Sequence, residues 1–125
     1  AAEAVERFLG SGAPPGSITV SSDAGGCLPC FDADGRVCRM EVGSSGALLA
    51  TLRALLERGL RLADALPPFT TNPARLLRLA AKGTIAPGAD ADLVALDAAG
   101  TAHTVIVRGE IHVADGRAVR RGMFE

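Results

Sequence analysis

Several residue types that mark particular classes of protein are missing or scarce. There is no tryptophan or tyrosine, and four phenylalanines are the only aromatic residues, which disfavours proteins that stack nucleic-acid bases on aromatic side chains. The 13 basic and 14 acidic residues leave a formal net charge of −1, without the basic patch of a nucleic-acid or anionic-membrane surface. No apolar run approaches the ~20 residues of a membrane-spanning helix. We therefore expect neither nucleic-acid nor membrane partners.

Cysteine and histidine are also few. Three cysteines are an odd number and do not suggest the disulfide framework of a small secreted domain, so we expect a cytoplasmic location. His103 and His112 fall in a late β-rich stretch, and their spacing matches no metal motif. We interpret both as ordinary strand residues.

Apolar residues are plentiful, at 48% of the chain with a mean hydropathy of +0.26, so a hydrophobic core is expected rather than disorder. The sequence opens without methionine in a helical pattern over 1–9 that no capping residue precedes. We expect it to be the C-terminal piece of a longer polypeptide.

The stretch with the clearest chemical character surrounds Asp23. The β-branched pattern predicts a strand over 17–22, and Asp23 follows it directly, before Ala24 and the pair Gly25-Gly26. An aspartate between a strand and a glycine-rich loop lies, in an α/β fold, at the carboxyl end of the sheet, where such folds place their chemistry. Alternatively, Asp23 only stabilises the turn.

The next elements are a hairpin and helices. Two short strands, over 30–32 and 36–40, flank an Asp-Gly turn. A leucine stripe predicts a core-facing helix that Ser44-Ser45 caps and Gly59 ends. A short helix is predicted over 62–66. The stripe consists of Leu48, Leu49, Leu52, Leu55 and Leu56.

The last part of the chain changes from helix to strand. A helix is predicted to begin with Asn72 as its cap and Pro73 at its first position. Leu76, Leu77 and Leu79 are expected to be buried on one side of it. After a turn-rich passage, short antiparallel strands are predicted over 93–96, 104–107, 110–113 and 118–119.

Two stretches of this last part resemble the C-terminal signature of the amidohydrolase superfamily. They are Thr71-Asn72-Pro73-Ala74, and Lys82-Gly83-Thr84-Ile85 followed by Gly88-Ala89-Asp90-Ala91-Asp92-Leu93-Val94. The resemblance implies an α/β fold, the C-terminal fragment of a TIM-like (β/α)8 barrel plus part of a small antiparallel β-sandwich domain. Residues 1–82 would be the barrel part, with the last strand and its flanking helices, and 83–125 the sandwich part.

Within the superfamily, the sequence is most similar to the isoaspartyl (β-aspartyl) dipeptidases. The similar segments are Ser21-Ser22-Asp23-Ala24-Gly25-Gly26, the hairpin from Pro29 to Gly35, and the chain end Arg121-Gly122-Met123-Phe124-Glu125. The resemblance implies metal-dependent hydrolysis of β-aspartyl dipeptides with two Zn²⁺ ions. Asp23 would touch the metal site and act as the base, with Gly25, Gly26 and Cys27 next to the substrate.

The sequence departs from the family pattern at several positions, and Ala24 replaces a usual glycine and Gly25 an often polar residue. Cys27 stands where the family has a serine whose hydroxyl helps to hold the dipeptide, and a thiol is a weaker hydrogen-bond donor. The histidines of the family's metal site are missing, since His103 and His112 match no metal motif. The carboxylated lysine is missing as well, because the only lysine, Lys82, falls in the Lys-Gly turn. We therefore expect the rest of the barrel to be required, and the full-length protein to be a homo-oligomer.

Other interpretations remain open. Cys27 and Cys30 form a C-x-x-C that could be a redox pair, and with Cys38 they could hold a structural zinc that lacks a fourth ligand. The alternative functions are those of another amidohydrolase, of the dihydropyrimidinase, dihydroorotase or deacetylase type, and of a non-catalytic amidohydrolase-like fragment. A charged group that we assign to a solvated face rather than to a substrate site comprises Arg53, Arg58, Arg61 and Asp64.

Overall fold

The computed structural model describes residues 1–120. The chain end 121–125, whose likeness to the dipeptidases was noted above, lies outside the described residues. The chain divides into two compact units, Ala1–Phe69 and a second unit from Thr70 onward. The boundary that the resemblance implies between a barrel part, 1–82, and a sandwich part, 83–125, differs from this division, and it stays a prediction. None of the helices in residues 1–120 has the length and apolar character that crossing a membrane requires.

The first unit is helical with one β-hairpin. Its elements are α1 (Ala2–Leu9), a 3₁₀ turn (Pro15–Ser17), β1 (Cys27–Phe31), β2 (Val37–Val42), α2 (Ala47–Glu57), α3 (Leu62–Ala65) and a second 3₁₀ turn (Pro67–Phe69). Strands β1 and β2 pair antiparallel, which confirms the predicted hairpin and lengthens it at both strands.

The leucine stripe forms the core of this unit, as predicted. Leu52 and Leu55 of α2 are buried together with Val5 of α1 and Ala65 of α3. Leu56 packs against this cluster from the same helix. An amphipathic helix is stabilised mainly by burying such a face, because isolated helices of this length are marginal in water.

The strand predicted over 17–22 does not form among the described residues. Ser17 ends a 3₁₀ turn, and residues 18–22 are not part of either sheet in the described chain. Ile18 is extended, at φ −117° and ψ 140°, and the Val20 amide donates one hydrogen bond to the Pro68 carbonyl at 3.0 Å. A strand requires a ladder of such bonds to a neighbour, and one bond does not form a ladder.

Both predicted helix caps are also wrong. Gly46, not a serine, is the N-cap of α2, and no side chain caps that helix. Ser44 Oγ instead accepts a hydrogen bond from the Gly46 amide at 3.3 Å, within the preceding turn. The next helix begins two residues earlier than predicted, after Thr70, so that Asn72 lies inside its first turn and is buried.

The second unit has one helix and a four-stranded sheet. It contains α4 (Thr71–Leu76), β3 (Leu93–Leu96), β4 (Ala102–Val107), β5 (Glu110–Ala114) and β6 (Arg117–Ala118). The sheet is an antiparallel meander in the order β3-β4-β5-β6, which confirms the predicted strands. At Arg108-Gly109, between β4 and β5, both residues have positive φ, 51° and 80°, as a tight hairpin turn of the mirror-image type requires.

The expected burial of the leucines after α4 is wrong. Leu76, Leu77 and Leu79 are 70%, 65% and 44% exposed. The helix ends at Leu76, and Arg78 adopts a left-handed conformation with φ 56°. The three leucines therefore do not share one helical face, and the described residues do not cover them.

We predict that Leu55→Ala lowers the free energy of unfolding by about 2–5 kcal/mol, because it empties part of a fully buried site. Leu62→Ala, at a half-exposed leucine of α3, is the control and should cost less than about 1 kcal/mol. Chemical denaturation measures both values. Equal losses for the two variants would contradict the assignment of the core.

Candidate active site

Asp23 lies at the first position of a tight turn. The Gly26 amide donates to the Asp23 carbonyl at 2.9 Å, and Gly25, at the third position, has φ 80°. Asp23 itself is left-handed, at φ 48°, a conformation that is uncommon outside glycine but that aspartate tolerates better than most residues. Ser21 Oγ accepts a hydrogen bond from the Asp23 amide at 3.2 Å. The small polar residues before Asp23 thus hold its backbone.

This turn is joined to the end of the β1–β2 hairpin. The Gly25 amide donates to the Gly43 carbonyl at 3.0 Å, and the Gly43 amide donates to the Gly26 carbonyl at 2.9 Å. Two residues therefore face one across the ladder, with a left-handed glycine as the first of the two, which is a β-bulge of the glycine type. Such bulges occur next to active sites, where they redirect a side chain. Here the bulge joins the turn that begins at Asp23 to the hairpin and so holds the Asp23 backbone.

Two of these glycines leave room for Asp23 that no other residue would leave. A Cβ on Gly26 would lie 2.7 Å from Asp23 Oδ1 and 3.0 Å from Oδ2, and a Cβ on Gly43 would lie 1.9 Å from the Asp23 carbonyl oxygen. The carboxylate therefore rests directly against Gly26, and the backbone of Asp23 against Gly43. Gly26 was a sequence-predicted site residue, whereas Gly43 was missed, because its role depends on strand register.

The carboxylate of Asp23 is available for chemistry. The residue is exposed, and within residues 1–120 its oxygens have no hydrogen-bond or ion-pair partner. The same residues contain no group of three or more His, Cys, Asp or Glu side chains that could hold a metal ion. This part of the chain therefore fits the role of one carboxylate beside a metal, not that of a complete metal site.

The cysteines of the C-x-x-C motif are not brought together as a redox pair. Cys27 and Cys30 are three residues apart in β1, and strand alternation puts their side chains on opposite faces. All three cysteines are free thiols, and none belongs to a metal-binding group among the described residues. Alternation also places Cys27 on the face opposite to the Cβ position of Gly26. The structure therefore brings Asp23, Gly25 and Gly26 together, but not the Cys27 side chain.

A charged pair that sequence reasoning missed lies on β2. Arg39 Nη2 donates to Glu41 Oε1, and both side chains are exposed, at 69% and 49%. Arg39 lies opposite Cys30 and Glu41 opposite Leu28. Arg39 and Glu41 are two residues apart in the second strand of the predicted hairpin, and this spacing of opposite charges was the signal in the sequence that could have indicated the pair.

The charged residues considered above as a substrate group pair with neighbours in the first unit. Arg58 Nε lies 2.6 Å from Glu6 Oε2, Arg61 Nε 2.7 Å from Asp64 Oδ2, and Arg53 Nη2 3.9 Å from Glu57 Oε1. In the second unit, His103 and His112 lie in β4 and β5 as predicted. His103 Nε2 is 3.3 Å from Asp115 Oδ1.

The Asp-Ala-Asp motif of the second unit forms an ionic clamp. Lys82 Nζ lies 2.8 Å from Asp90 Oδ2 and also bonds Asp92. The other oxygen of Asp92 accepts the Arg108 amide at 2.7 Å, at the turn between β4 and β5. Hydrogen bonds from Lys82 and from the Arg108 amide lower the pKa of Asp92, and those to Asp90 and Asp92 raise the pKa of Lys82. The motif therefore stabilises structure and does not bind a metal by itself.

Comparison with known proteins gives consistent matches. Residues 2–112 match the amidohydrolase family. The structure is similar to a β-aspartyl dipeptidase from the thermophilic keratin-degrading Fervidobacterium islandicum AW-1 in complex with the β-Asp-Leu dipeptide, with a TM-score of 0.84 and 38% identity, covering 98% of this chain and 32% of that chain. A second structure of a β-aspartyl dipeptidase from F. islandicum AW-1 gives 0.79 and 35%, covering 98% and 29%.

A more distant match concerns the fold alone. It is an N-acetylglucosamine-6-phosphate deacetylase from Thermotoga maritima, with a TM-score of 0.66 and 21% identity, covering 89% of this chain and 35% of that chain. In each of these matches, the chain spans about a third of the length of the solved structure.

We predict that the clamp loses its contribution to stability at acid pH. Because the folded-state pKa of Asp92 is depressed below 3.8, its stabilisation is present above that value and is lost as the pH falls through the lower folded pKa. Asp92→Asn keeps an acceptor for the Arg108 amide and removes the charge together with the acceptor for Lys82. The difference in melting temperature between wild type and Asp92→Asn should be larger at pH 7 than near pH 2.

Asp34→Asn, at an exposed aspartate of the hairpin turn, is the control and should melt like the wild type at both pH values. If the difference in melting temperature between wild type and Asp92→Asn is as large near pH 2 as at pH 7, the ionic clamp does not contribute to stability as predicted.

Proposed function

The chain belongs to the amidohydrolase family, and from this premise we propose that it is the C-terminal part of a metal-dependent hydrolase that cleaves β-aspartyl (isoaspartyl) dipeptides. The observation that carries the proposal is the exposed carboxylate of Asp23, which has no hydrogen-bond or ion-pair partner within residues 1–120 and rests against the glycine bulge. The 38% identity to a β-aspartyl dipeptidase over 98% of the chain supports the substrate class.

In this proposal, residues 1–82 complete a TIM-like barrel and 83–125 contribute to a small β-sandwich. Residues 18–22, which are extended at Ile18 but unpaired as a strand, would gain parallel neighbours from the rest of the barrel. Asp23 would then stand at the carboxyl end of the last barrel strand, the end at which barrel enzymes place their active sites.

The residues present fit one part of a metal centre. Asp23 would be one ligand. The remaining ligands for the proposed two Zn²⁺ ions would lie outside residues 1–120, because residues 1–120 contain no group of three or more His, Cys, Asp or Glu side chains that could hold a metal ion. A bound divalent ion would polarise the carbonyl of the scissile amide. Because that centre requires groups from elsewhere, we propose that the rest of the barrel is necessary for activity.

Asp23 would act as the general base and then as the general acid. Its carboxylate would accept a proton from the attacking water and deliver it to the nitrogen of the leaving amino acid. The bulge serves this role because the carboxylate rests against Gly26 and has no competing partner among residues 1–120. Gly25 and Gly26 would let the substrate approach the backbone closely.

Cys27 is proposed as a substrate contact on the resemblance alone. Its position at the start of β1 is adjacent to the bulge, although its side chain belongs to the opposite face. We further propose a cytoplasmic location, which agrees with three free thiols, and a homo-oligomeric full-length protein.

We predict that Asp23→Asn lowers kcat for β-aspartyl-leucine about 10²–10⁴-fold, because the amide cannot take up the proton. The exposed side chain contributes no contact to the hydrophobic core, so the melting temperature should not change. Asp34→Asn is the matched control, an exposed aspartate with no role in the proposed site, and it should keep wild-type activity. The assay uses the protein as expressed, supplied with Zn²⁺. Full activity of Asp23→Asn would contradict the proposal.

We predict that Gly26→Ala impairs hydrolysis while the fold is kept. The new Cβ would lie 2.7 Å from Asp23 Oδ1, and the carboxylate, as the end of a side chain, would rotate away. A displacement of about 1 Å from the reacting atoms can cost on the order of 10²-fold in rate.

Gly46→Ala is the control for Gly26→Ala, because its Cβ would meet only Ser44 Oγ, at 3.5 Å. A Gly26→Ala protein with wild-type turnover would show that the position of the carboxylate is not set by this glycine.

A further inference from the structure

The third cysteine, Cys38, lies beside Cys30 across the β1–β2 hairpin. Its thiol donates a hydrogen bond to the Cys30 carbonyl, with 3.3 Å between the sulfur and the oxygen. Both residues are free thiols, and Cys38 is exposed while Cys30 is half-buried. One sulfur is therefore already in contact with the main chain of the other cysteine, and close approach of the two backbones is the first condition for a disulfide.

This contact arises from a change of register in the hairpin. At the turn end, Phe31 pairs with Val37. The same register, continued by one residue, would place Cys30 opposite Cys38. Toward the open end, Cys30 pairs with Arg39 instead, because the register shifts between Cys30 and Phe31. Cys38 is therefore the extra residue of a β-bulge, so that two residues of β2, Cys38 and Arg39, oppose Cys30.

Distance excludes the other two pairings of the three cysteines. Cys27 and Cys30 are three residues apart in one strand, so that their Cα atoms are roughly 10 Å apart at ~3.3 Å per residue. Cys27 pairs with Val42, four residues beyond Cys38, which separates Cys27 from Cys38 by roughly 13 Å along the strand. A disulfide joins Cα atoms about 4.4–6.8 Å apart, and facing residues of an antiparallel pair are about 4.5–5.5 Å apart. Of the three pairs, Cys30 and Cys38 alone face each other in this way.

We propose that Cys30 and Cys38 are a reversible thiol–disulfide pair, which a small disulfide of the glutathione class oxidises and an excess of the corresponding thiol reduces. This property does not depend on the hydrolytic function. It agrees with a cytoplasmic location, because the disulfides of cytosolic proteins are usually transient and catalytic or redox-sensing rather than permanent.

The exchange has two steps, and its atoms and electrons balance. The sulfur of Cys38, the more exposed of the two residues, attacks one sulfur of the small disulfide. The S–S bond of that molecule breaks, and the first glutathione leaves as a thiol with the proton that Cys38 gave up. Cys30 then attacks the Cys38 sulfur of the mixed disulfide, and the second glutathione leaves with the Cys30 proton. The two protein thiols are oxidised by two electrons, which the small disulfide gains.

The oxidised pair ties the two strands together where their ladder is interrupted. Among the described residues, β1 and β2 form a sheet of two strands, and a two-stranded hairpin alone is only marginally stable in water. Hydrogen bonds of Gly25, Gly26 and Gly43 join the open end of the hairpin to the Asp23 turn. The disulfide adds a covalent link toward the other end, at the bulge.

The test locates the free thiols at a series of ratios of oxidised to reduced glutathione. The protein as expressed is equilibrated at each ratio, its free thiols are blocked with N-ethylmaleimide, and the masses of the intact protein and of its peptides are measured. In the wild type, Cys30 and Cys38 should lose their reactivity together, carry no glutathione adduct, and be joined in the mapped disulfide. An excess of reduced glutathione should return both thiols.

Cys27→Ser is the matched control, because it removes an exposed thiol of the same strand that lies outside the pair. It should form the Cys30–Cys38 disulfide over the same range of ratios as the wild type. Cys38→Ser and Cys30→Ser should form no disulfide within the chain, and the remaining cysteine of the pair should stay free or carry one glutathione.

Three outcomes would overturn the assignment. The first is a wild type in which Cys30 and Cys38 stay free at the most oxidising ratio. The second is a wild type in which the two cysteines carry glutathione and no link between them. The third is a mapped disulfide that involves Cys27 or that joins two copies of the chain.

Discussion

The candidate site depends on one close approach of two backbones. Asp23 is held in a left-handed conformation against the ends of β1 and β2, and this is possible only because Gly26 and Gly43 have no side chains. The hydrogen bonds of Gly25 and Gly43 fix the turn to the hairpin. As a result, the backbone position of Asp23 and the position of the hairpin's open end are set together.

Local signals were sufficient for the parts of the structure that local chemistry determines. The leucine spacing predicted α2 and its buried residues Leu52 and Leu55, and the Asp-Gly turn predicted the hairpin. Asp23 and the glycine pair were identified from their position after a predicted strand and from the resemblance to the dipeptidases, whereas the residues alone left open that Asp23 only stabilises the turn. The meander from β3 to β6 followed from short β-branched runs separated by turn residues.

The errors arose where the outcome depends on distant partners. The pattern over 17–22 has the residues of a strand, but a strand exists only with a neighbour, and the described chain provides a single bond to Pro68. Leu76, Leu77 and Leu79 are apolar, but their burial depends on surfaces that the described residues do not supply. Gly43 was missed because its significance comes from strand register, which brings a residue far from Asp23 in sequence against the Asp23 backbone.

The most direct test of the account is the hydrolysis of β-aspartyl-leucine and α-aspartyl-leucine by the protein as expressed, before and after removal of divalent metal with a chelator. The account predicts cleavage of the β-linked isomer only, loss of this activity on chelation, and its recovery when Zn²⁺ is returned. Equal cleavage of both isomers, or cleavage of the β-linked isomer that survives complete chelation, would contradict it.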